Sequence, residues 1–299
     1  MKLLFAAMAA VLLGLGAAAK EPVRPKILGI GSVRIQSSSV EGNATRFYID
    51  YLGFGTGQVI CAGASKTCLA VNSHQRIDLW VPEQGGTAGE LAEITFETSG
   101  LAELRSYLIA HNVAVGEIVS TPGSNLHFEV KDPEGHQIGF IQYTVQDQSS
   151  HPENQVSKRL IHAGFIVHNR EAMDRFYKDI LGFHVSWRGG MKDNQTDWID
   201  MQVPDGTDWI EYMLNVPANA DKRTLGVMNH IALGVPDIHA AAKQLLTNGM
   251  KLTEEPKIGR DGKWQLNLYD PDQTRVELME FTPVEKPCCA DYTGPHPKP

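Results

Sequence analysis

A nine-residue motif that occurs twice constrains the fold of this chain more than any other feature. Residues 46–54 read RFYIDYLGF and residues 175–183 read RFYKDILGF, 129 positions later. The tripeptide at 132–134, Asp-Pro-Glu, returns at 270–272 as Asp-Pro-Asp. Self-similarity at this spacing predicts two homologous halves, roughly 27–145 and 158–283. The polar, turn-rich stretch between them is typical of a linker.

Each half is also internally doubled. In the second half a strand at His162 precedes a helix that Asn169 can cap, and extended segments follow up to Glu211. The order then restarts with a strand at His230 and a further helix, and it ends with strands that reach Glu277. This pattern predicts an α+β fold of paired βαβββ modules that form cupped mixed sheets, with four modules in two tandem domains.

Four short strands of the second half each carry one potential metal ligand. Side chains alternate between the two faces of a strand, so one position per strand can point into a cavity while its neighbours pack outward. His162, Glu211, His230 and Glu277 would then form a set of two imidazoles and two carboxylates. Such nitrogen and oxygen donors suit one divalent ion of zinc, nickel, iron or manganese.

The alternative for any one of these residues is an ordinary surface or hydrogen-bonded side chain. Their neighbours argue for burial instead, because Ile161, Ile210, Ile231, Val276 and Leu278 are apolar. A buried carboxylate without a partner is costly, and a bound metal offsets that cost. Since all four residues occupy equivalent strand positions, the sequence favours a metal site.

The two ends of the chain lie outside these halves. A basic residue, an apolar stretch and three small residues make 1–19 a candidate cleaved signal peptide. It predicts a periplasmic or secreted protein without a membrane anchor, since no later apolar run is long enough to span a bilayer. Residues 284–299 form a tail that contains cysteine and proline. The formal net charge of −8 and the absence of a basic stripe argue against nucleic acid as a partner.

The four cysteines fit an oxidising compartment. Cys61 and Cys68 flank a short loop and are candidates to pair with each other. Cys288 and Cys289 are adjacent, and because vicinal cysteines rarely bridge without strain, we expect at least one of them to bond elsewhere. The alternative is a small thiol metal site with His296.

The second half resembles the vicinal oxygen chelate superfamily, which includes glyoxalase I, fosfomycin-resistance enzymes, methylmalonyl-CoA epimerase and type I extradiol dioxygenases. The resemblance is carried by NHIAL at 229–233, by Asp-Pro-Asp at 270–272 and by Glu277 shortly after it; all three are similar to the closing motifs of glyoxalase I. It implies that the four ligand positions named above hold the metal. It also implies that Asn215, close after Glu211, contacts the substrate.

The first half departs from that pattern. By internal alignment its four ligand positions fall near Ser32, Asp78, Glu93 and Gly139, so two imidazoles and one carboxylate are missing. We expect this half to be a degenerate domain of the superfamily that binds no transition metal. Its expected role is structural, or as a wall of the binding site.

Three functions are compatible with the second half. The second carboxylate favours a glyoxalase-type lyase or isomerase, in which Glu211 or Glu277 is the catalytic base for a small α-hydroxycarbonyl or hemithioacetal substrate. A His-His-Glu iron site would instead serve an extradiol ring-cleaving dioxygenase, but 259–269 contains no histidine, which that family has ahead of its last ligand. The third function is a non-catalytic, antibiotic-type binding protein.

The same face of the sheet predicts a mostly apolar substrate pocket, to which Ile166, Met213 and Met279 contribute beside Asn215. The glutathione-contacting arginine of glyoxalases is expected where this chain has Ile166. Four tryptophans of the second half are candidates for an aromatic wall, with ordinary core positions as the alternative. Four basic residues of its loops are candidates to reach an anionic substrate, with solvated surface positions as the alternative: Arg188, Lys192, Arg260 and Lys263. Because two domains can complete the cavity within one chain, both a monomer and a homodimer are expected states.

Overall fold

The structure is a computed structural model, and it describes residues 23–38, 42–56, 66–81, 91–120, 125–144 and 152–299. The predicted signal peptide 1–19 lies outside the described residues, and so does Cys61 of the predicted Cys61–Cys68 pair. In the described part of the chain no helix has both the length and the apolar character that a membrane crossing requires.

The first half forms an eight-stranded mixed sheet in the order β2-β3-β4-β1-β5-β8-β7-β6. Its strands are β1 (Ile27–Gln36), β2 (Gly55–Thr56), β3 (Lys66–Ala70), β4 (Arg76–Trp80), β5 (Leu91–Thr98), β6 (Val119–Ser120), β7 (Leu126–Lys131) and β8 (Gln137–Gln142). Its helices are the short α1 (Asn43–Thr45), which continues as a π-helical turn over Arg46–Tyr51, and α2 (Leu101–Ala110).

The second half repeats this topology in the order β10-β11-β12-β9-β13-β16-β15-β14. Its strands are β9 (Arg159–Ile166), β10 (His184–Gly189), β11 (Trp198–Gln202), β12 (Trp209–Met213), β13 (His230–Val235), β14 (Lys257–Ile258), β15 (Trp264–Tyr269) and β16 (Arg275–Glu280). Its helices are α3 (Arg170–Asp174), a π-helical turn over Arg175–Ile180, α4 (Lys222–Met228) and α5 (Ile238–Thr247).

Strand order and direction confirm the predicted α+β fold with four βαβββ modules. In the second half β9 pairs antiparallel with β13, while β12 joins β9 and β16 joins β13 in parallel. The first strands of the two modules therefore lie side by side at the centre of the curled sheet, and each last strand flanks its own first strand. This arrangement brings side chains from four strands to one concave face.

Helix starts follow the local signals in the sequence. The Asn169 side chain accepts a hydrogen bond from the Ala172 N–H (3.1 Å), and Asp237 caps α5 by accepting from His239 and Ala240. The repeated motif continues α3 as a wider turn, in which the Leu181 N–H reaches the Phe176 carbonyl five residues back.

The two halves interlock through the same two repeated motifs. The Tyr48 hydroxyl donates to Asp270 (3.0 Å), and its counterpart Tyr177 donates to Asp132 (3.1 Å). All four side chains are buried. Each tyrosine comes from the RFY motif of one half and each aspartate from the Asp-Pro turn of the other. The repeat therefore encodes the packing between the halves as well as the fold of each half.

The expectation that Cys288 and Cys289 would not bridge each other was wrong. The two residues form a vicinal disulfide. The backbone accommodates it in a tight turn, in which Cys289 has a φ of 70° and the Ala290 N–H donates to the Cys288 carbonyl (2.7 Å). Because both sulfurs are bonded, they cannot act as thiolate ligands beside His296, whose ring instead contacts Tyr292.

Candidate metal centre

The register of the second sheet brings the four predicted ligands to its concave face. Ala232 pairs with His162 on one side and with Glu277 on the other, so these two side chains flank β13 at the same level. His230 lies two residues before Ala232, and Glu211 lies on β12, next to β9. Period-two alternation therefore points all four side chains the same way.

The donor atoms of the four residues converge. His162 Nε2 lies 3.1 Å from His230 Nε2 and 3.6 Å from Glu277 Oε2. Glu211 Oε2 lies 3.1 Å from His230 Nε2 and 3.9 Å from His162 Nε2. Donors bound at about 2.1 Å to one tetrahedral or octahedral ion lie roughly 3.0–3.4 Å apart. The two 3.1 Å separations match this range, and the 3.6 and 3.9 Å separations lie slightly above it, so small side-chain movements would bring the four donors to a single divalent ion.

His230 is held in an orientation suited to ligation. Its Nδ1 lies 3.2 Å from the Met228 carbonyl, so an Nδ1–H donates there and Nε2 keeps its lone pair for the centre. The ring lies directly over Gly164, where an added Cβ would approach the imidazole to 2.1 Å. A glycine at this strand position is therefore required by the close approach of the ring.

Arg275 also enters the centre, and we did not predict it. Its guanidinium donates to His230 Nε2 (2.7 Å), the nitrogen that would bind the ion. Arg275 lies two residues before Glu277 on β16, so strand alternation was a signal that could have found it. Its positive charge compensates the carboxylates, and a bound ion would take over its contact with His230.

Burial shifts the proton affinities of all four donors. It raises the pKa of both Glu211 and Glu277 to about 7, although Arg275 lowers both values in part. Burial also lowers the pKa of His162 and His230 well below the usual value for histidine. At neutral pH the imidazoles are therefore neutral, as metal ligation requires, while the two carboxyl groups are close to their titration range.

These shifts predict that metal binding releases protons from carboxyl groups below pH 7. At about pH 5.5 the ion should displace about two protons, those of Glu211 and Glu277, and metal affinity should rise with pH up to about 7 and then level off. In the metal-free protein the same raised pKa values make the free energy of unfolding fall as pH rises between 4.5 and about 7. Calorimetric titration with Zn²⁺ in buffers of different ionisation enthalpy measures the release. A release that does not change between about pH 5.5 and 8 would contradict this prediction.

Further charged residues surround the donors. Asp200 pairs with Glu211 across β11 and β12 and is buried, and burial together with the Glu211 charge raises its pKa well above the usual value. Asp261 and Lys263, in the turn before β15, are also buried. The sequence predicts Lys263 to be a loop residue within reach of an anionic substrate, whereas the structure buries its side chain and does not place it among the cavity-lining residues. Asp200 and Asp261 carried no signal in the sequence that separates them from surface acids.

A cavity of about 290 Å³ opens in front of the donors. It is lined by His162, Trp187, Trp198, Asp200, Trp209, Glu211, Met213, Val227, Met228, Lys257, Ile258, Gly259, Arg260, Asp261, Gln265, Asn267, Arg275, Glu277 and Met279. Three of the four tryptophans thus form a wall, whereas Trp264 lies outside it against His239. Of the candidate cations, Arg260 lines the cavity, and Arg188 and Lys192 are exposed elsewhere.

The predicted substrate residues divide into two groups. Met213 and Met279 line the cavity. Ile166 packs behind it against Met213 and Val216, and Asn215 donates to the Thr196 carbonyl (3.0 Å) and to Asp197 (2.8 Å). Neither Ile166 nor Asn215 lies among the lining residues, so their contact with a substrate stays a prediction.

In the first half, the positions that correspond to the four donors are held by Ser32, Asp78, Glu93 and Gly139, as the internal alignment predicted. Ser32 pairs with Thr95, and Thr95 pairs with Gly139, in the register that relates His162, Ala232 and Glu277 in the second half. Here arginines neutralise the remaining carboxylates. Arg34 contacts Glu93 (2.5 Å), and Arg76 contacts Asp78 (3.0 Å). Glu93 also lies near His127 and Glu129, and the absence of a metal from this half stays a prediction.

Comparison with known proteins relates the second half of the chain to one superfamily. Residues 159–278 match the model of the Glyoxalase/Bleomycin resistance protein/Dioxygenase superfamily. Over 124 residues the chain is 25% identical to the lactoylglutathione lyase of Haemophilus influenzae, a match that covers 41% of this chain and 92% of that protein. It is 22% identical over 152 residues to a probable chloroplastic lactoylglutathione lyase of Arabidopsis thaliana, covering 50% of this chain but only 43% of the plant protein.

Solved structures show similarity along most of the chain. An extradiol ring-cleaving dioxygenase from B. fuscum superposes with a TM-score of 0.65 at 19% identity, covering 87% of this chain and 74% of that one. Homoprotocatechuate 2,3-dioxygenase from Arthrobacter globiformis gives a TM-score of 0.64 at 18% identity, covering 86% and 80%. At this identity the similarity establishes a shared fold.

Proposed function

We propose that the chain is a metal-dependent lyase or isomerase of glyoxalase type, a proposal supported by the match of residues 159–278 to the model of the Glyoxalase/Bleomycin resistance protein/Dioxygenase superfamily. Its substrate would be a small α-hydroxycarbonyl compound or a hemithioacetal. The observation that carries the proposal is the second carboxylate, because Glu211 Oε2 lies 3.1 Å from His230 Nε2. A centre with only two histidines and one carboxylate would leave this position open.

We infer that His162, His230, Glu277 and Glu211 hold one divalent ion. When bound, such an ion supplies Lewis-acid chemistry, which stabilises negative charge on substrate oxygens. The buried imidazoles are neutral, and Glu277 is almost fully buried, so these three groups are suited to a fixed ligand set. Met213, Met279 and Trp209 would exclude water from the reacting atoms.

Glu211 is the better candidate for the catalytic base. Both carboxylates line the cavity, but the Glu211 side chain keeps 14% of its surface exposed, against 5% for Glu277. A carboxylate that faces the cavity suits a group that takes up a proton from the carbon next to a carbonyl and returns it. Glu211 would move the proton, while Glu277 and the histidines stay in place.

A ring-cleaving dioxygenase is the second candidate. His162, His230 and Glu277 bring donor atoms within 4.8 Å of one another, and these three residues would suffice for a two-histidine, one-carboxylate iron site. The solved structures with this fold include extradiol dioxygenases. A non-catalytic binding protein is the third candidate, and bound metal in the purified protein would count against it.

We also propose that the protein is exported after cleavage of residues 1–19, and that it acts as a monomer or homodimer. The basic start, apolar stretch and small residues of 1–19 support export. Mass spectrometry of the protein from the periplasm or medium would give its first residue. An uncleaved amino terminus would contradict this proposal.

The test is a comparison of two assays on one preparation. The full chain is loaded separately with Ni²⁺, Zn²⁺, Mn²⁺ or Fe²⁺. Isomerisation of the hemithioacetal of methylglyoxal and glutathione is then measured beside oxygen uptake with catechol. Turnover of the hemithioacetal that does not need oxygen would support the lyase. Oxygen uptake only with iron would replace it with the dioxygenase, and inactivity in both assays would leave the binding protein.

A further inference from the structure

The C-terminal segment 284–299 joins the two edges of the second sheet. Strands β10 and β14 lie at opposite ends of the strand order. On the β14 side, the Val284 N–H donates to the Gly262 carbonyl (2.8 Å), and on the β10 side the Thr293 N–H donates to the Ser186 carbonyl (2.9 Å). The segment therefore crosses the open seam of the curled sheet next to the cavity.

Tyr292 immediately precedes Thr293, which makes the contact on the β10 side, and it contacts two residues that line the cavity. Its ring stacks on Trp187, with centroids 6.1 Å apart and planes inclined by 25°. Its hydroxyl donates to Asp261 Oδ2 (3.2 Å). Trp187 and Asp261 both line the cavity, whereas Tyr292 does not.

Tyr292 also forms one side of the enclosure around the Lys263 ammonium group. Lys263 Nζ lies 4.9 Å from the centroid of Tyr292 and 4.6 Å from that of Trp209. It also lies 3.9 Å from Met279 Sδ, and Lys263 is only 1% exposed. A desolvated ammonium between two aromatic faces is held by cation–π attraction. Trp209 and Met279 line the cavity, so Lys263 links Tyr292 to two more of its walls.

We propose that Tyr292 is a positioning residue of the cavity. It orients the Trp187 ring, the Asp261 carboxylate and the Lys263 ammonium, and it thereby sets the shape and charge of the wall that a substrate meets. The C-terminal segment holds Tyr292 in place by joining the two sheet edges. This inference rests on the proposed function in one respect, namely the identity of the substrate with which KM is measured. Preorganised walls raise affinity because binding need not order them.

The test uses the full chain with Tyr292→Phe and Tyr292→Leu. Tyr269→Phe is the matched control. The Tyr269 hydroxyl also donates to a carboxylate, that of Glu254 (2.8 Å), but neither Tyr269 nor Glu254 lines the cavity. For hemithioacetal turnover we expect Tyr292→Phe to raise KM about three- to tenfold and Tyr292→Leu to raise it further, with kcat within about twofold. Zinc stoichiometry should stay unchanged in all three variants, which separates this effect from damage to the metal centre.

A second readout does not depend on the proposed function. Trp187 is 2% exposed, and Tyr292→Leu should uncover its ring and increase its quenching by acrylamide. The Trp187 contribution is isolated by repeating the measurement in a Trp187→Phe background. Circular dichroism establishes whether each variant is folded. If Tyr292→Leu does not fold, the quenching is measured on Tyr292→Phe instead.

The outcomes separate the two proposals. A raised KM with unchanged zinc stoichiometry would support the role of Tyr292. An unchanged KM in both Tyr292 variants, or an equal rise in Tyr269→Phe, would overturn it. If the wild-type chain does not turn over the hemithioacetal, the proposed function fails, and the quenching alone then decides whether Tyr292 holds the wall.

Discussion

Replacing His230 with alanine is expected to abolish stoichiometric metal binding. Its Nε2 lies 3.1 Å from both His162 Nε2 and Glu211 Oε2, so the change removes one ligand and leaves the others around an empty volume. Loss of groups that only orient metal ligands lowers affinity about 10–100-fold, and we expect a larger loss, at least about 100-fold, for this ligand. Elemental analysis of protein purified without chelators measures the effect.

His184→Ala is the matched control for this variant. His184 is an exposed residue at the start of β10, and its ring contacts Gln202 rather than the centre. It should retain the wild-type metal content. Nickel, zinc or manganese in the wild type would direct assays to hemithioacetals, and iron would direct them to catechols. Equal metal content in His230→Ala and wild type would refute the site, and a wild type without metal after reconstitution would favour the binding protein.

Glu211→Gln is expected to lower kcat about 100-fold or more for the hemithioacetal. The amide cannot accept the substrate proton, and general acid–base catalysis contributes about 10²–10⁴-fold. The ion should stay bound, because His162, His230 and Glu277 remain. Steady-state kinetics beside metal analysis of the same samples would show low turnover with retained metal.

Two comparison variants make this result specific. Glu277→Gln should weaken metal binding more than Glu211→Gln does, because Glu277 is the more buried carboxylate, 5% exposed against 14%, and is a ligand in both the lyase and the dioxygenase. Glu171→Gln makes the same chemical change on helix α3, where the side chain is 84% exposed, and it should leave kcat unchanged. Glu211→Gln with wild-type kcat would remove the lyase mechanism and favour an iron site of three protein ligands.

Much of the architecture was predictable because its signals are local. The repeated RFY motif and the Asp-Pro turns indicated two halves, and the spacing of strands and caps indicated four modules. The same alternation indicated that His162, Glu211, His230 and Glu277 share one face, and the structure brings them together. The residues expected to contact substrate were less predictable, since Asn215 makes its hydrogen bonds to the neighbouring Thr196 and Asp197.

By itself, then, the sequence determined the doubled module and the four convergent donors, because helix caps and strand alternation depend on neighbours along the chain. Only the tertiary structure decided that Arg275 reaches His230, that Asp200 lies beside Glu211 and that Tyr292 supports the cavity. The physical reason is that these contacts join residues on different strands or on a strand and the tail, and they depend on sheet register and on the path of 284–299 across the seam. A charged or aromatic residue in a loop or tail carries no local sign of which cavity it will border.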